Sequence, residues 1–140
     1  MTRIVILEDH QLDCSGLKYH FQSHPDFRVA GDARTSADFF RLLADTPADM
    51  ALVGVNLPDR NNCADVARRL RKAYPAIKIF AMANEDTRPI VTSMMKTGIN
   101  GFIGKRQAVA DEFDRAIRKV AAGELYIGRI DTNAQIRIKN

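Results

Sequence analysis

An α/β fold with a doubly wound, five-stranded parallel sheet of strand order 2-1-3-4-5, held between two helical layers, is what this sequence predicts, on three observations. Short apolar runs of strand length, Ile4–Leu7, Ala51–Val55 and Ile77–Met82, alternate with segments whose apolar residues recur at helical spacing. The runs are continuous instead of alternating with polar residues, as expected of parallel strands covered on both faces. Chemically able side chains stand just after the runs, Glu8-Asp9 after the first and Lys105 after the fifth, at the carboxyl edge where open α/β sheets place their sites.

The elements follow in order. Arg3–Leu7 is the first strand and stops at Glu8-Asp9-His10. A dinucleotide fold would place a glycine-rich turn here to bring backbone N–H groups to a pyrophosphate; two carboxylates repel phosphate unless a cation lies between. Gln11–Ser23 sets Leu12, Leu17 and Phe21 near helical spacing, with Pro25 at the exit. Phe27–Ala30 is a second strand ended by Gly31, and a helix from about Ser36 carries Phe39, Phe40, Leu42 and Leu43 before stopping ahead of Pro47. Together these make a βαβ unit whose right-handed crossover is the default.

The third strand, Ala51–Val55, runs into turn chemistry at Asn56, Pro58, Asp59, Asn61 and Asn62. In the next helix Val66, Ala67, Leu70 and Tyr74 share one face, and Arg68, Arg69, Arg71 and Lys72 the other. That basic face is read as solvated surface, because no aromatic residues are interleaved with it. Ile77–Met82 is the fourth strand, with Ala83 at its tip. After a polar turn, Pro89 stands in the first turn of a helix, where a missing N–H costs little, and Ile90, Val91, Met94 and Met95 are its apolar positions up to Gly98. Gly101–Gly104 is a short fifth strand. The last helix, about Ala108–Ala122, places Val109, Phe113, Ala116, Ile117 and Val120 on one stripe, with Gly123 just past its end.

One domain over residues 1–123 is expected, followed by a linker or docked tail over 124–140, where isoleucines occur singly among polar residues. The net charge of +4, from 21 basic and 17 acidic residues, is too diffuse to imply nucleic-acid binding by this segment. Cys14 and Cys63 lack metal-ligand spacing and read as reduced thiols. No apolar run approaches the roughly 18 residues needed to cross a bilayer. Met1-Thr2-Arg3 leads directly into a strand, which leaves no place for a targeting peptide. A cytoplasmic protein without a membrane partner is the expectation.

The five βα units, the acidic pair Glu8-Asp9, the Val-Asn-Leu-Pro of Val55–Pro58, the Thr97-Gly98 turn, the aromatic Phe102 and Lys105 together resemble the receiver domain of two-component response regulators, a flavodoxin-like fold. The phrase Ala-Ile-Arg-Lys-Val-Ala-Ala-Gly-Glu at Ala116–Glu124 is similar to regulators of the LuxR type, which continue into a DNA-binding helix-turn-helix. The resemblance covers about Thr2–Gly123. It implies a phosphoryl-transfer site: an aspartate at the tip of the third strand takes a phosphoryl group from a histidine kinase. A divalent cation held by the acidic pair and that aspartate neutralises the developing charge. A Ser or Thr at the tip of the fourth strand and the lysine after the fifth hold the phosphate, and the aromatic residue reports the event.

Counting four residues back from Pro58 puts the phosphoacceptor position at Gly54, which has no nucleophile. Counting fifteen back from Gly98 puts the hydroxyl position at Ala83. Glycine at 54 also reads as a strand residue that admits a close neighbour. Asp59 is a poor substitute acceptor, lying beyond the strand, and Asn62 stands where the family usually has glycine. The expectation is therefore a non-enzymatic, degenerate receiver in which Glu8 and Asp9 hold Mg2+ weakly or not at all, no cofactor is required, and Lys105 leans into the vacancy at Gly54 to pair with Asp9 or Glu8. Signalling would run through protein contacts. The expected partner is a second copy, bound through the surface of the fourth helix, fifth strand and fifth helix (Met94, Met95, Phe102, Arg106, Arg115, Arg118) or through the first and fifth helices. A histidine kinase or other signalling protein is a further partner, and DNA only through a domain beyond this chain. The competing readings are a working phosphorelay receiver with aspartate naturally at position 54 or an acceptor elsewhere, and a small flavodoxin-like enzyme or nucleotide binder, which the carboxylates after the first strand disfavour.

Overall fold

The computed structural model of the chain describes residues 1–54, 63–84 and 88–128. The Asn56–Asn62 turn, the Val55–Pro58 motif, Asp59, Thr87 and the isoleucines at 130, 136 and 138 lie outside the described residues. Elements alternate from the start: β1 Thr2–Leu7, α1 Gln11–Gln22, β2 Phe27–Ala33, α2 Ser36–Asp45, β3 Met50–Gly54, α3 Cys63–Ala73, β4 Lys78–Ala83, α4 Arg88–Met95, β5 Gly101–Gly104, a 3₁₀ turn Lys105–Gln107, α5 Ala110–Ala121 and β6 Tyr126–Ile127.

The sheet is parallel throughout, in the order β2-β1-β3-β4-β5-β6. The expected five strands are thus six. The added strand comes from the segment read as tail: Tyr126 N–H donates to Asn100 O at 3.0 Å and Gly128 N–H to Phe102 O at 2.8 Å, satisfying the edge that β5 would otherwise expose. Its two residues are too short for a periodicity signal. β2 also runs on through Gly31, where a register shift opposite Ile4/Val5 absorbs the irregularity and Leu42 of α2 takes the space a Cβ would need.

Alternation along each strand divides the core in two. Val5, Leu7, Ala51, Val53, Ile79, Ala81 and Phe102 face α2, α3 and α4, while Ile4, Ile6, Met50, Leu52, Phe80, Met82 and Ile103 face α1 and α5. This is the three-layer arrangement that continuous apolar runs require.

The basic face of α3 departs from its expected solvation. Arg71 donates to the carbonyl oxygens of Gly98, Pro75 and Ile77 and to Asn100 Oδ1 at 2.7–3.2 Å. Asn100 Oδ1 in turn accepts from Ile79 N–H at 2.8 Å. Arg71 therefore clips α3 to the turn before β5. In that turn Gly98 has φ +87°, a conformation that glycine adopts without a Cβ penalty. Arg69 lies over the Phe40 ring at 4.0 Å, a contact that spans two helices and that sequence interleaving does not reveal. Cys14 and Cys63 are free and buried, and burial pushes the Cys63 thiol up to about 12.

Candidate functional site at the carboxyl edge of the sheet

Four of the residues singled out in the sequence arrive at one edge because their strands end in register. Gly54 pairs with Met82 at the ends of β3 and β4, and Ala83 pairs with Gly104 at the ends of β4 and β5. Glu8 follows β1 and donates its N–H to Ala33 O at 3.0 Å, and Lys105 follows β5.

Lys105 Nζ lies 2.8 Å from Glu8 Oε1 and 2.8 Å from Asp13 Oδ2. The expected pairing with Glu8 is present; the second carboxylate is Asp13 and not Asp9, which takes no part in these contacts. Lys105 also does not fill the space at Gly54. A Cβ built on Gly54 would meet Glu8 Oε1 at 3.0 Å, Cδ at 3.3 Å and Oε2 at 3.4 Å, so the close neighbour of the glycine is the Glu8 carboxylate itself. Glu8 is 3% exposed and both its oxygens are engaged, Oε1 with Lys105 and Oε2 with His10 N–H at 3.0 Å. A buried carboxylate is tolerated only when paired in this way.

Burial would lower the Lys105 pKa, but hydrogen bonds and charge from Asp13 and Glu8 outweigh it and raise the ammonium above its ordinary value. Asp13 is held in the first turn of α1, with His10 Nδ1 3.4 Å from its Oδ2. Sequence reasoning missed Asp13; the available signal was an acidic residue in the first turn of a helix that begins immediately after the acidic pair.

Beside this network a cavity of ≈310 Å³ opens between α1 and α5, with Glu8, Asp13, His20 and Lys105 among its polar lining residues and Leu17, Met82 and Phe113 among its apolar ones. Ala83 and Phe102 are each 1% exposed. Phe102 points away from the cavity, into the layer under α2–α4.

The surface residues separate. Met94 is 3% exposed and belongs to the core, so its expected place on an interface is corrected: it faces inward because it shares the buried stripe with Val91. Met95 is half-buried against the same core. Arg106, Arg115 and Arg118 are exposed, with Arg115 Nη2 3.9 Å from Glu112 and Arg118 bonded to Asp26 and Asp114. Among the described residues no helix is long and apolar enough to cross a membrane.

Comparison with known proteins adds three findings. Residues 4–118 match the family model described as the response regulator receiver domain. The chain is 32% identical over 125 residues to the transcriptional regulatory protein DegU of Brevibacillus brevis, covering 89% of this chain and 52% of that protein; it therefore spans about half the length of the relative it matches. Among solved structures it resembles a two-component response regulator of the LuxR family from Aurantimonas sp. SI85-9A1, with TM-score 0.84 and 21% identity over 96% of this chain and 94% of that one. It likewise resembles a LuxR family DNA-binding response regulator from Silicibacter pomeroyi, with TM-score 0.78 and 25% identity over 94% and 99%.

Proposed function

This chain belongs to the response regulator receiver domain family, and we propose that it is the regulatory receiver of a LuxR-type transcription regulator that switches through protein contacts without being phosphorylated. The observation that carries the reading is Gly54 with the Glu8 carboxylate seated over it. The position that the family pattern assigns to the acceptor offers no nucleophile, and the adjoining space is taken by a carboxylate already neutralised by Lys105. The hydroxyl position is the methyl of Ala83, which binds no phosphate oxygen.

A divalent cation fits this donor set poorly. Both Glu8 oxygens are engaged, an ammonium stands 2.8 Å from one of them, and the third carboxylate is missing. The domain has no catalytic step of its own in this reading. Its output would be a choice between two conformations set by whichever partner binds one of them better. The likeness to transcription regulators supports a DNA-binding segment outside this chain as the recipient of that choice.

Incubation with acetyl phosphate and Mg2+, followed by intact mass measurement, tests the reading. The expected result is an unchanged mass; addition of one phosphoryl group would overturn it in favour of a working phosphorelay receiver. Calorimetric titration with MgCl2 is expected to give no saturable heat in the low millimolar range.

A further inference from the structure

Beyond the Lys105 network, His20 of α1 and Asp114 of α5 meet His24, which follows the end of α1; these are the chain's other two histidines and an aspartate. We propose that His20, His24 and Asp114 form a binding site for a divalent transition-metal ion of the Zn2+ class, with one coordination position left open. His20 Nε2 lies 3.7 Å and His24 Nδ1 3.6 Å from Asp114 Oδ1, and one donor atom from each residue falls within 4.8 Å of the others. These separations are too long for direct hydrogen bonds. The two histidine–aspartate separations are close to the spacing of a tetrahedral ion, whose bonds of about 2.0–2.1 Å set neighbouring donors about 3.3 Å apart.

The polar atoms at the centre lack other partners: His20 Nε2 and Asp114 Oδ1 are both sealed from solvent without a hydrogen bond. Buried polar groups are rarely left so, and an ion between them would satisfy both. Two imidazoles four residues apart plus one carboxylate favour a nitrogen-preferring ion over Mg2+ or Ca2+. Three protein ligands are also the number found where a fourth position stays free for water or a donor from another molecule.

The surroundings hold the ligands in place. The His20 ring packs edge-on against Phe21 at 5.2 Å and Phe113 at 5.1 Å, and lies 4.5 Å from the His24 ring. Asp114 Oδ2 accepts from Arg118 Nε at 2.9 Å, which turns Oδ1 toward the histidines, and Asp26 takes Arg118 Nη1 at 2.6 Å. Arg118 Nη2, 3.4 Å from His24 Nδ1, would have to release that contact, so the site is one of moderate affinity. Bound metal would tie the end of α1 to α5, a constraint independent of what happens at Gly54.

Titration of the untagged, reduced chain with ZnCl2 against a chromophoric chelator tests the proposal. One equivalent is expected to bind, with His24→Gln and Asp114→Asn each weakening it by more than about 100-fold, beyond the roughly 10–100-fold that loss of a merely supporting group costs. Circular dichroism would check that the variants are folded. In the wild-type chain Zn2+ should shift the ring nitrogen resonances of His20 and His24 and leave those of His10, the third histidine, in place. Absence of stoichiometric binding, binding unchanged in His24→Gln, or binding abolished by thiol alkylation instead would overturn it.

Discussion

At position 54 a hydrogen in place of a side chain lets the Glu8 carboxylate settle over the end of β3. Gly54→Asp would set a second carboxylate against it, with the new Cβ already 3.0 Å from Glu8 Oε1. Like charges at that distance cannot both remain ionised without cost. The variant is expected to be about 1–3 kcal/mol less stable at pH 7, and thermal melts should show MgCl2 raising the Tm of the variant and not of the wild type. Lys105 is the counterpart of this arrangement. Lys105→Met leaves Glu8 buried and unpaired and should cost about 3 kcal/mol in urea unfolding, most of which the double variant with Glu8→Gln recovers. Because the folded-state pKa of Lys105 is raised, the pair's contribution is complete below the unfolded value of about 10.4 and is lost as pH rises through the folded one. Stability measured upward from pH 9 should fall more steeply in the wild type than in that double variant.

The elements are held by contacts that each close a specific gap. β5 carries Gly101 against β4 and α5, where an added Cβ would lie 2.6 Å from a Phe80 ring carbon and 2.7 Å from a Val120 methyl. Gly101→Ala is expected to destabilise by about 1–3 kcal/mol through overpacking, read as a lower urea midpoint with an unchanged slope. β6 protects the outer edge of β5, and the Tyr126 hydroxyl donates to Glu112 of α5, so the short strand is fixed to the sheet and to the last helix together. On the other side Arg71 ties α3 to the residue before β4 and to the β4–β5 connection through the carbonyl oxygens of Ile77 and Gly98.

Across the whole molecule the amino-terminal end of the sheet is closed by Arg3 and Asp49. Arg3 donates to Asp49 through its N–H at 2.8 Å and through Nε and Nη2 at 3.1 Å each, joining β1 to the residue before β3. These bonds hold the Asp49 carboxyl below its usual range, the side-chain bond from Arg3 being the largest cause. A depressed carboxylate stabilises above its unfolded pKa of about 3.9 and ceases to do so as pH falls through the folded value. Asp49→Asn should therefore be less stable than the wild type at pH 7, with the difference shrinking below pH 4 in pH-dependent thermal melts. Residues by themselves determined the alternation of strands and helices, the parallel sheet, the two-sided core and the placing of Glu8, Gly54, Ala83 and Lys105 at one edge, because apolar periodicity and turn chemistry are local properties of the chain. Only the tertiary structure decided that Glu8 covers Gly54, that Asp13 completes the Lys105 pair, that Met94 faces inward and that His20, His24 and Asp114 converge. The Lys105 contact with Glu8 joins residues 97 apart in sequence. Such meetings depend on strand register and on which elements pack side by side, which no local periodicity encodes.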